Sequence, residues 1–591
     1  MLFYIFLIII FLSSIESLKN QNYFLLNPQS FQHFLPKAID FNWAEKWAPF
    51  FDCSDSDILN SYYFRLHSYR THIKKTHFGF ILTEFSVPVP WAQFANSIPA
   101  AEGHHIAEGR WLRNETWLNE YERFWFVAPV DIRAYSTWPA TASVRRAAVT
   151  GNFSMPLSLL EAFDANFEAW VRDNWSYKYN CFWQDDGQDA MEDSISGNGC
   201  RPTINSILFS EAKSIVAIAQ VARNYLLVAK YNVWMEKLRT VVLATLWNDE
   251  PTVSFFTVLK VPKPRPKTAR HVSPTRADFD GHGRLIRIDE NETNNQSALR
   301  CPPDWRDGKL VTVRELLGFT PWYYEVPVKG NETTSGVSSQ VAARAFGATL
   351  WRASGFDAKW GPTTAERRAP CYNYTVPNHH ECTWNGPTWP FATSRLARSV
   401  ANVLQLYSPS VGDNALLAKA DFLRLLRQYA RLHTQGFAVN GSSPWIGEDA
   451  HPDLGYWLAR QIMYNWHEKL RNRGFLYNHS TYVDWIMRGL VGIVPHAGSL
   501  LRVLPLATSP FDKKNDKSKS PSDGHQVEPL KYFAVDGVPY HGHILTVFFD
   551  SDGSRYGQGA GLHVWCNGKE IGWREQLPEL DDALIVDLKN C

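Results

Sequence analysis

Apolar residues recur at helical spacing through most of the chain before residue 500. Leu160, Phe163, Phe167 and Trp170 lie three or four positions apart with charged residues between them, which is the pattern of an amphipathic helix. The same spacing occurs over residues 208–226, 396–407 and 414–433. Strand-like alternation is scarce here. The pattern therefore predicts a mainly α protein, a helical toroid or solenoid with long polar loops, although no repeat of fixed period is visible.

The pattern changes near residue 500. A polar stretch over residues 512–529 leads into apolar alternating runs, of which ILTVFF at 544–549 is followed by the turn sequence DSDG. Asn567-Gly568 separates two further apolar runs, which is the signature of a β-hairpin. We therefore predict a helical region over 40–500, a linker over 512–529 and a small C-terminal β-domain over 530–591.

The chain opens with the unbroken apolar run LFYIFLIIIFL, followed by small and polar residues up to Ser17. The run is too short to cross a bilayer, which takes about 20 residues. It predicts a signal peptide over residues 1–17. An uncleaved anchor is the alternative, because no Lys or Arg precedes the run. No other segment is expected to be long and apolar enough to cross a membrane.

N-glycosylation sequons and cysteines agree with a secreted or secretory-pathway protein. Eight cysteines, an even number, favour disulfides in an oxidising compartment. Because Asn478 lies in a loop dense in functional residue types, we expect it to stay unmodified, whereas sequons in polar loops should carry glycans. The nine sequons begin at Asn114, Asn152, Asn174, Asn291, Asn295, Asn331, Asn373, Asn440 and Asn478.

Composition removes one class of partner. The formal net charge is +1, so no basic face is indicated and nucleic acid is an unfavourable partner. The 24 tryptophans have two interpretations, a Trp-rich core or platforms on which sugar rings stack. Composition does not choose between them.

Carboxylates are concentrated in a loop over residues 182–206. Four Asp and one Glu lie there among Trp183, Met191 and Arg201. Crowding and burial raise a carboxyl pKa, which is what a general acid needs near neutral pH. A solvated acidic loop is the alternative, and a calcium site of the EF-hand type has the wrong spacing.

Three later loops carry further candidates. GPTTAERR, over 361–368, contains Glu366 and Arg367, which suit a carboxylate–guanidinium network of either functional or structural kind. HHECTWNGPTWPFATS, over 379–394, places Trp384 and Trp389 around an amide. Its two adjacent histidines lack the partner spacing of a zinc site. WIGEDAHPDLGYW, over 445–457, carries Glu448, for which a helix N-cap is the structural alternative.

The chain has no nucleophile elbow, P-loop or dinucleotide fingerprint, which removes support for serine hydrolases, NTPases and dinucleotide-dependent enzymes. Two separated carboxylate centres among aromatic residues remain. Glycoside hydrolysis requires that arrangement.

Six segments in order, DAMEDSISG, RPTINS, GPTTAERR, WNGPTWPFATS, GEDAHPD and YNHSTYVD, resemble the mannosylglycerate-hydrolase-type glycoside hydrolases. These are relatives of processing α-glucosidase I and, more remotely, of trehalase. The resemblance extends from about residue 40 to the C-terminus. It implies an (α/α)6 barrel, an inverting mechanism, an oligosaccharide or small glycoside substrate, and no cofactor or catalytic metal.

The resemblance also assigns roles. It places the general acid at Glu192, with Asp189 and less favourably Asp193 as rivals because the motif departs from the family pattern, and the general base at Glu448. The substrate-binding residues that we expect are Trp183, Arg201, Trp384, Asn385, Trp389, Glu366, Arg367, Asn478 and His479, with Asp484 lining or supporting the pocket.

Two further expectations follow from the same loops. Cys181 and Cys200 bracket the acid loop, and Cys371 and Cys382 bracket the approach to Trp384, so we expect each pair to form a local disulfide. The alternative to an enzyme is a catalytically inactive, carbohydrate-binding member of the same fold, or a structural secreted glycoprotein. Loss of one carboxylate centre would mark the inactive member, and both centres are present.

Overall fold

The structure is a computed structural model, and it describes residues 25–251, 253–264, 278–279, 285–286, 307–328, 337–373, 382–407, 416–435, 444–467, 472–496, 498–514, 519–520 and 523–591. Several sequence expectations lie outside the described residues. They are the signal peptide over 1–17, the paired histidines at 379 and 380, and the sequons at Asn291, Asn295, Asn331 and Asn440.

The described chain is mainly helical up to about residue 490. Many helices begin at a proline in the first turn, where the missing N–H has no helical partner to lose. The α-helices are Ala38–Trp47, Ser56–His72, Glu102–Gly109, Glu115–Val127, Pro139–Thr150, Ser154–Ser158, Leu160–Asn174, Pro202–Val221, Tyr225–Thr240, Thr320–Tyr323, Ser339–Leu350, Pro390–Asn402, Lys419–Thr434, Leu458–Trp466, Tyr482–Asp484 and Pro510–Lys514. Three π-helical segments also occur, at Val241–Thr245, Val403–Tyr407 and Trp485–Leu490.

Helix Pro202–Val221 lies in the middle of the helical part. It packs against Pro139–Thr150, Leu160–Asn174 and Tyr225–Thr240. Among the described residues it is the one helix long and apolar enough to cross a membrane, and 78% of its apolar window is buried inside the protein. This corrects the expectation that no further segment has that length and composition. Burial of this kind is typical of a core helix.

The helical pattern over residues 208–226 belongs to two helices rather than one. The first helix ends at Val221, and Arg223 takes a left-handed conformation with φ of 56°. The side chain of Asn224 then caps the next helix by accepting a hydrogen bond from the Leu227 N–H at 3.2 Å. Leu226 is consequently 85% exposed, although the apolar spacing had placed it in the core.

A five-stranded antiparallel sheet forms most of the C-terminal part. Its strand order is Phe50–Cys53, Tyr532–Tyr540, His543–Asp550, Gly561–Cys566 and Lys569–Arg574. Asn567 and Gly568 join the last two strands with φ of 49° and 81°. Two positive φ values in succession define the type I′ hairpin turn that the Asn-Gly pair predicts.

The edge strand of this sheet comes from the beginning of the chain. Phe51 pairs with Val535 and Cys53 with Phe533. The carboxylate of Asp52 accepts hydrogen bonds from Arg555, at 2.9 and 3.0 Å. Residues near both ends of the sequence therefore share one sheet.

Smaller sheets complete the fold. A three-stranded sheet joins Ile493–Val494, Leu500–Val503 and Leu584–Asp587, and a disulfide links Cys566 to Cys591. Short pairs in the helical part are Ile73–Thr76 with Gly79–Leu82, Trp175–Ser176 with Cys181–Gln184 and Gly199–Cys200, Trp247–Asn248 with Phe255–Phe256, and Asp278–Phe279 with Leu285–Ile286.

Candidate active site

The acid loop is held at its two ends by a pair of short strands. Strand Cys181–Gln184 pairs with Gly199–Cys200, and a disulfide joins Cys181 to Cys200, as the sequence predicts. Between them the apolar side chains of the loop are buried in the hydrophobic core. The Glu315 carboxylate supports the loop, because it accepts hydrogen bonds from the N–H groups of Ile195 and Ser196 at 2.8 and 3.2 Å.

Asp189 and Arg201 form a fully buried ion pair inside this loop. Arg201 Nε lies 2.9 Å from Asp189 Oδ2, and neither side chain is exposed. The Thr203 hydroxyl donates to the same carboxylate oxygen, and Arg201 also donates to the Gly197 carbonyl. The pair therefore holds the loop in shape, and Arg201 presents no surface to a ligand in this conformation.

Glu192 lies at the tip of the acid loop and is tied to Trp384. The indole Nε1–H of Trp384 donates to Glu192 Oε2 at 3.0 Å, and the Trp384 backbone N–H donates to the Glu192 carbonyl at 3.2 Å. Ala190 and Asp193 on either side have φ of 55° and 57°. Left-handed conformations cost non-glycine residues about 1–2 kcal/mol each, so the loop presents Glu192 at some conformational cost.

Trp384 and Trp389 form a stacked pair beside Glu192. Their ring centroids are 3.9 Å apart with an interplanar angle of 20°, and Trp389 packs on Phe391 at 4.7 Å. Both tryptophans are buried. Asn385, between them in sequence, is partly exposed and accepts a hydrogen bond from the Thr383 hydroxyl at 3.1 Å.

Glu448 lies in the loop before helix Leu458–Trp466. The Cys382 thiol hydrogen-bonds to its carboxyl group, and Glu448 Oε2 has no hydrogen-bond partner within the described part of the chain. The neighbouring Asp449 has a different role. Its Oδ1 accepts a hydrogen bond from the Ala459 N–H at 2.9 Å and so caps the first turn of the helix.

A third carboxyl group, that of Glu84, belongs to the same cluster. Glu84 is only 4% exposed, and its Oε2 lies 3.5 Å from His479 Nε2. The Tyr477 hydroxyl hydrogen-bonds to it. The backbone is anchored as well, because the Asn478 N–H donates to the Glu84 carbonyl at 2.9 Å. Sequence reasoning missed Glu84 because it is a single acid after an apolar run, without spacing or partner to mark it.

The three carboxyl groups influence one another. Burial, with a smaller contribution from the charge of Glu192, raises the pKa of Glu84 to about 8. Burial also raises the pKa of Glu448 well above its usual range, and the charges of Asp449, Glu84 and Glu192 add to this. Not all of these groups are ionised together near neutral pH, which is the condition for a pair with separate acid and base roles.

Residues 477–479 support Glu84. The Asn478 side chain is 1% exposed; its Nδ2 donates to the Thr83 carbonyl at 3.2 Å, and its Oδ1 accepts from Arg65 Nη2 at 3.0 Å. The His479 ring stacks on Phe391 at 4.2 Å, and burial lowers its pKa well below the usual value, so the ring is neutral. Asn478 thus has a supporting position behind the carboxyl cluster.

The remaining residues that were predicted to bind substrate make contacts outside the carboxyl cluster. Glu366 accepts hydrogen bonds from Arg314 Nη1 and Arg368 Nε at 3.1 and 2.6 Å, and Arg367 pairs with Asp453 at 2.6 Å. These contacts match the structural alternative for that loop. Trp183 is buried and donates to the Val261 carbonyl at 3.1 Å.

One predicted disulfide is wrong. Cys371 is disulfide-bonded, but not to Cys382. Cys382 keeps its thiol, and burial followed by the charge of Glu448 raises the thiol pKa well above its usual value. The thiol is therefore a donor to Glu448, a role that the even number of cysteines does not reveal.

Among the described residues, one group of side chains has the spacing of a metal site: His543, Cys566 and Cys591. Both cysteines are joined in a disulfide, so neither offers a thiolate to a metal.

Comparison with known proteins gives one family match. The family model described as "Mannosylglycerate hydrolase MGH1-like glycoside hydrolase domain" matches residues 95–467. No curated protein sequence gives a significant match.

Solved structures also resemble the chain. A protein titled "Sialidase" is 27% identical with a TM-score of 0.74, covering 95% of this chain and 45% of its own. The chain thus spans less than half the length of that protein. The GH63 mannosylglycerate hydrolase from Thermus thermophilus, solved with Tris, is 11% identical with a TM-score of 0.44, covering 72% of this chain and 100% of its own. A GH78 family rhamnosidase of a Bacillus species has the same identity and TM-score and covers 85% of this chain and 40% of its own.

Proposed function

The chain belongs to the mannosylglycerate hydrolase MGH1-like glycoside hydrolase family, and from this premise we propose that it hydrolyses an O-glycosidic bond by an inverting, two-carboxylate mechanism. The observation that carries the proposal is the group of three carboxyls, the buried Glu84 and Glu448 and the half-buried Glu192, whose charges act on one another beside the stacked tryptophans.

Glu192 is the proposed general acid. In its protonated form it donates a proton to the glycosidic oxygen as the bond from that oxygen to the anomeric carbon breaks. The Trp384 N–H fixes the carboxyl group through Oε2. Asp189 is the weaker candidate, because Arg201 and Thr203 already engage its Oδ2.

Glu448 is the proposed general base. Its ionised carboxylate takes a proton from a water molecule whose oxygen forms the new bond to the anomeric carbon from the opposite face. A base must be ionised, and burial opposes this most, followed by the charges of Asp449, Glu84 and Glu192. Protons on Glu84 and Glu192 remove the contributions of those two groups. The Cys382 thiol stabilises the anion by donating a hydrogen bond.

In this proposal the stacked tryptophans do not react but hold the neighbouring groups in place. Both rings are buried, so they form a rigid wall that orients Glu192, whereas the partly exposed Asn385 is available to a sugar hydroxyl. His479 and Asn478 hold Glu84 from behind.

The finer architecture is proposed with the function. An (α/α)6 toroid over 40–500 would bring loops 256 positions apart, those of Glu192 and Glu448, to one end of the barrel. The linker over 512–529 and β-domain over 530–591 complete this arrangement. The signal-like first 17 residues and the sequons support a secreted or lumenal location.

A glycoside panel tests the activity. The panel contains mannosylglycerate, α-glucosides and sialosides, the last because of the "Sialidase" relative, and release of reducing sugar or sialic acid is measured. Glu192→Gln and Glu448→Gln should each lower turnover by about 10²–10⁴-fold, with sugar binding retained by calorimetry. The exposed variant Glu161→Gln is the control. Binding without release by the unmodified protein would support the inactive, carbohydrate-binding member.

Proton NMR tests the mechanism. An inverting site needs its carboxyls about 6.5–9.5 Å apart to admit water, against about 5–5.5 Å in a retaining site. The first product should therefore have the opposite anomeric configuration to the substrate, read before mutarotation. A product of unchanged configuration would rule out Glu448 as the base that activates water in a single displacement.

A further inference from the structure

Four arginines from separate elements converge inside the helical part, away from Glu192. They are Arg110, just after helix Glu102–Gly109, Arg145 in Pro139–Thr150, Arg398 in Pro390–Asn402 and Arg488 in Trp485–Leu490. We call these four residues the arginine cluster. The charge of each of the other three acts on Arg398, so they lie close together.

The carboxylates within the cluster are too few to balance it. Asp484 Oδ1 accepts from Arg110 Nη2 at 2.6 Å, and its Oδ2 from Arg398 Nη1 at 3.4 Å. Glu325 lies 3.8 Å from Arg145 and 2.9 Å from Lys213. Glu211 also acts on Arg145, but its oxygens accept hydrogen bonds from Ala140 and Thr141.

With Lys213 included, five cations face three carboxyl groups. The excess is two positive charges, even if every carboxyl is ionised. Arg395, stacked over Trp138 at 4.9 Å, adds a further cation at the margin.

Most of the positive charge in the count lies on buried side chains; Lys213 is the exception, because 47% of its side chain is exposed. Arg110, Arg398 and Arg488 are all buried side chains. Within the described part of the chain, the Nε atoms of Arg398 and Arg488 have no hydrogen-bond partner. Arg488 otherwise donates to the neutral amides of Gln405 and Asn402. Buried cations without counter-charges are costly, so native proteins pair them.

A cavity lies at the centre of the cluster. Arg110, Arg145, Arg398 and Asp484 line it together with Thr481 and with apolar and aromatic side chains. Its volume, measured as the space open to the centre of a water molecule, is about 10 Å³. A second cavity of the same size shares Arg398 and Asp484 and is also lined by Arg488. A cavity needs about 10–15 Å³, measured in the same way, to hold one particle of the size of a water molecule.

Neighbouring ionisable groups report a positive potential at this place. Burial opposes ionisation of Asp484, yet the charges of Arg110 and Arg398 hold its pKa below the usual value. Lys213 and Arg145 overcome burial at Glu325 and lower its pKa to about 2. Burial and the charge of Arg488 lower the pKa of Arg398. All three shifts have the sign that nearby positive charge produces, and burial adds to the shift at Arg398.

We propose that the arginine cluster binds a small monoatomic anion, chloride under physiological conditions, as a structural counter-ion between Arg398 and its neighbours. The cavity size favours an ion close to a water molecule in radius over phosphate or sulfate. The guanidinium N–H groups supply the donors.

The proposed ion is separate from the candidate active site. Arg398 follows Trp389 by nine residues along helix Pro390–Asn402, which is about 13 Å at 1.5 Å per residue. The ion would therefore stabilise the helical core without touching the substrate. Its presence does not depend on the proposed hydrolysis.

Crystals soaked in bromide provide a direct test, because bromide replaces chloride and scatters anomalously. We expect an anomalous peak within hydrogen-bond distance of Arg398 and one other arginine of the cluster. In parallel, the Tm of the full chain is measured in sodium chloride and in sodium methanesulfonate at equal ionic strength. The Tm should rise saturably with chloride concentration and stay flat with the larger anion.

Arg398→Gln should abolish the dependence of Tm on chloride, and the exposed control Arg172→Gln should retain it. If Arg398→Gln fails to fold, the bromide crystals of the unmodified protein decide the question. A cavity that contains only water after the bromide soak, or equal Tm values in both salts at all concentrations, would overturn the proposal.

Discussion

Two carboxyl groups of the acid loop differ in what they touch, although only two residues separate them. Asp189 is closed inside an ion pair with Arg201, whereas Glu192 is fixed by one indole N–H beside other carboxyls. The first arrangement is typical of a structural role and the second of a proton donor. The two roles predict different consequences of substitution.

Asp189→Asn should lower the free energy of unfolding by about 3–5 kcal/mol, because Arg201 would keep its charge in a buried site without an ionised partner. Glu192→Gln should leave that free energy close to the unmodified value. Urea denaturation at neutral pH measures both. A stable, inactive Asp189→Asn together with an active Glu192→Gln would instead assign the acid to Asp189.

Glu84 should make stability depend on pH. Below pH about 4.5 the group is protonated in the folded and unfolded chain alike. Between that pH and about 8 the folded protein retains a proton that the unfolded chain has lost. The stability contributed by this proton is therefore full at low pH and is lost as pH rises through the folded pKa.

Glu84→Gln should accordingly flatten the fall in unfolding free energy between about pH 5 and 8, as measured by urea denaturation at a series of pH values. The pKa of Glu448 should fall in the same variant, because one charge that opposes its ionisation is gone. Glu161→Gln, on the surface, is the matched control. Parallel pH curves for Glu84→Gln and the unmodified protein would contradict a buried, proton-retaining Glu84.

At the scale of single residues, part of the candidate active site can be predicted from the sequence. Glu192 and Glu448 stand in loops dense in acids, glycines and tryptophans, so their residue types and order make them candidates. Glu84 and the Cys382 thiol have no such context. Contacts between residues far apart in the sequence reveal them, and these contacts exist only after folding.

Helices were predictable where one face is apolar along the whole element. Leu160, Phe163, Phe167 and Trp170 are all buried in helix Leu160–Asn174, as their spacing indicates. Periodicity did not predict the break near Arg223, because the apolar spacing continues across two helices. Neither did it predict the π-helical segment Val403–Tyr407, whose wider turn is set by packing.

The disulfide between Cys181 and Cys200 should serve both stability and function. The bond closes a loop of 19 residues, for which chain entropy gives about 3 kcal/mol. The double variant Cys181→Ala/Cys200→Ala should lose about that much stability, and its turnover should fall because the loop presents Glu192.

The matched control is Cys566→Ala/Cys591→Ala, which opens a loop of 25 residues in the C-terminal part, away from the acid loop. It should cost a similar free energy of unfolding, measured in the same urea series, and leave turnover unchanged. Equal turnover in both double variants would show that the acid loop keeps its shape without its disulfide.

At the scale of the whole molecule, the C-terminal strands are continuous with the beginning of the chain. Alternating apolar residues and the Asn-Gly turn predicted those strands correctly. The pairing of Phe50–Cys53 with Tyr532–Tyr540 was not predictable, because four residues without alternation carry no strand signal and their partner lies more than 470 positions away.

This shared sheet should make the described parts unfold together. Calorimetry of the full chain should show one cooperative transition, and a chain ending at residue 529 should fail to give a stable monomer, because the apolar face of Phe50–Cys53 loses its partner strand. Two separate transitions, or a stable truncated protein with full turnover, would mean that the C-terminal strands fold independently.

The amide of Asn478 has a consequence for the order in which the chain is synthesised, modified and folded. Its Nδ2 is the atom that an N-linked glycan would occupy, and in the folded protein it donates to Thr83, a residue 395 positions earlier. That hydrogen bond forms only after about four-fifths of the chain has been synthesised. If the chain passes through the secretory pathway, as we propose, a glycosylating enzyme and the folding core compete for this one nitrogen. A molecule that is glycosylated there before it folds could not form the hydrogen bond, so the occupancy of this sequon would measure the relative speed of folding.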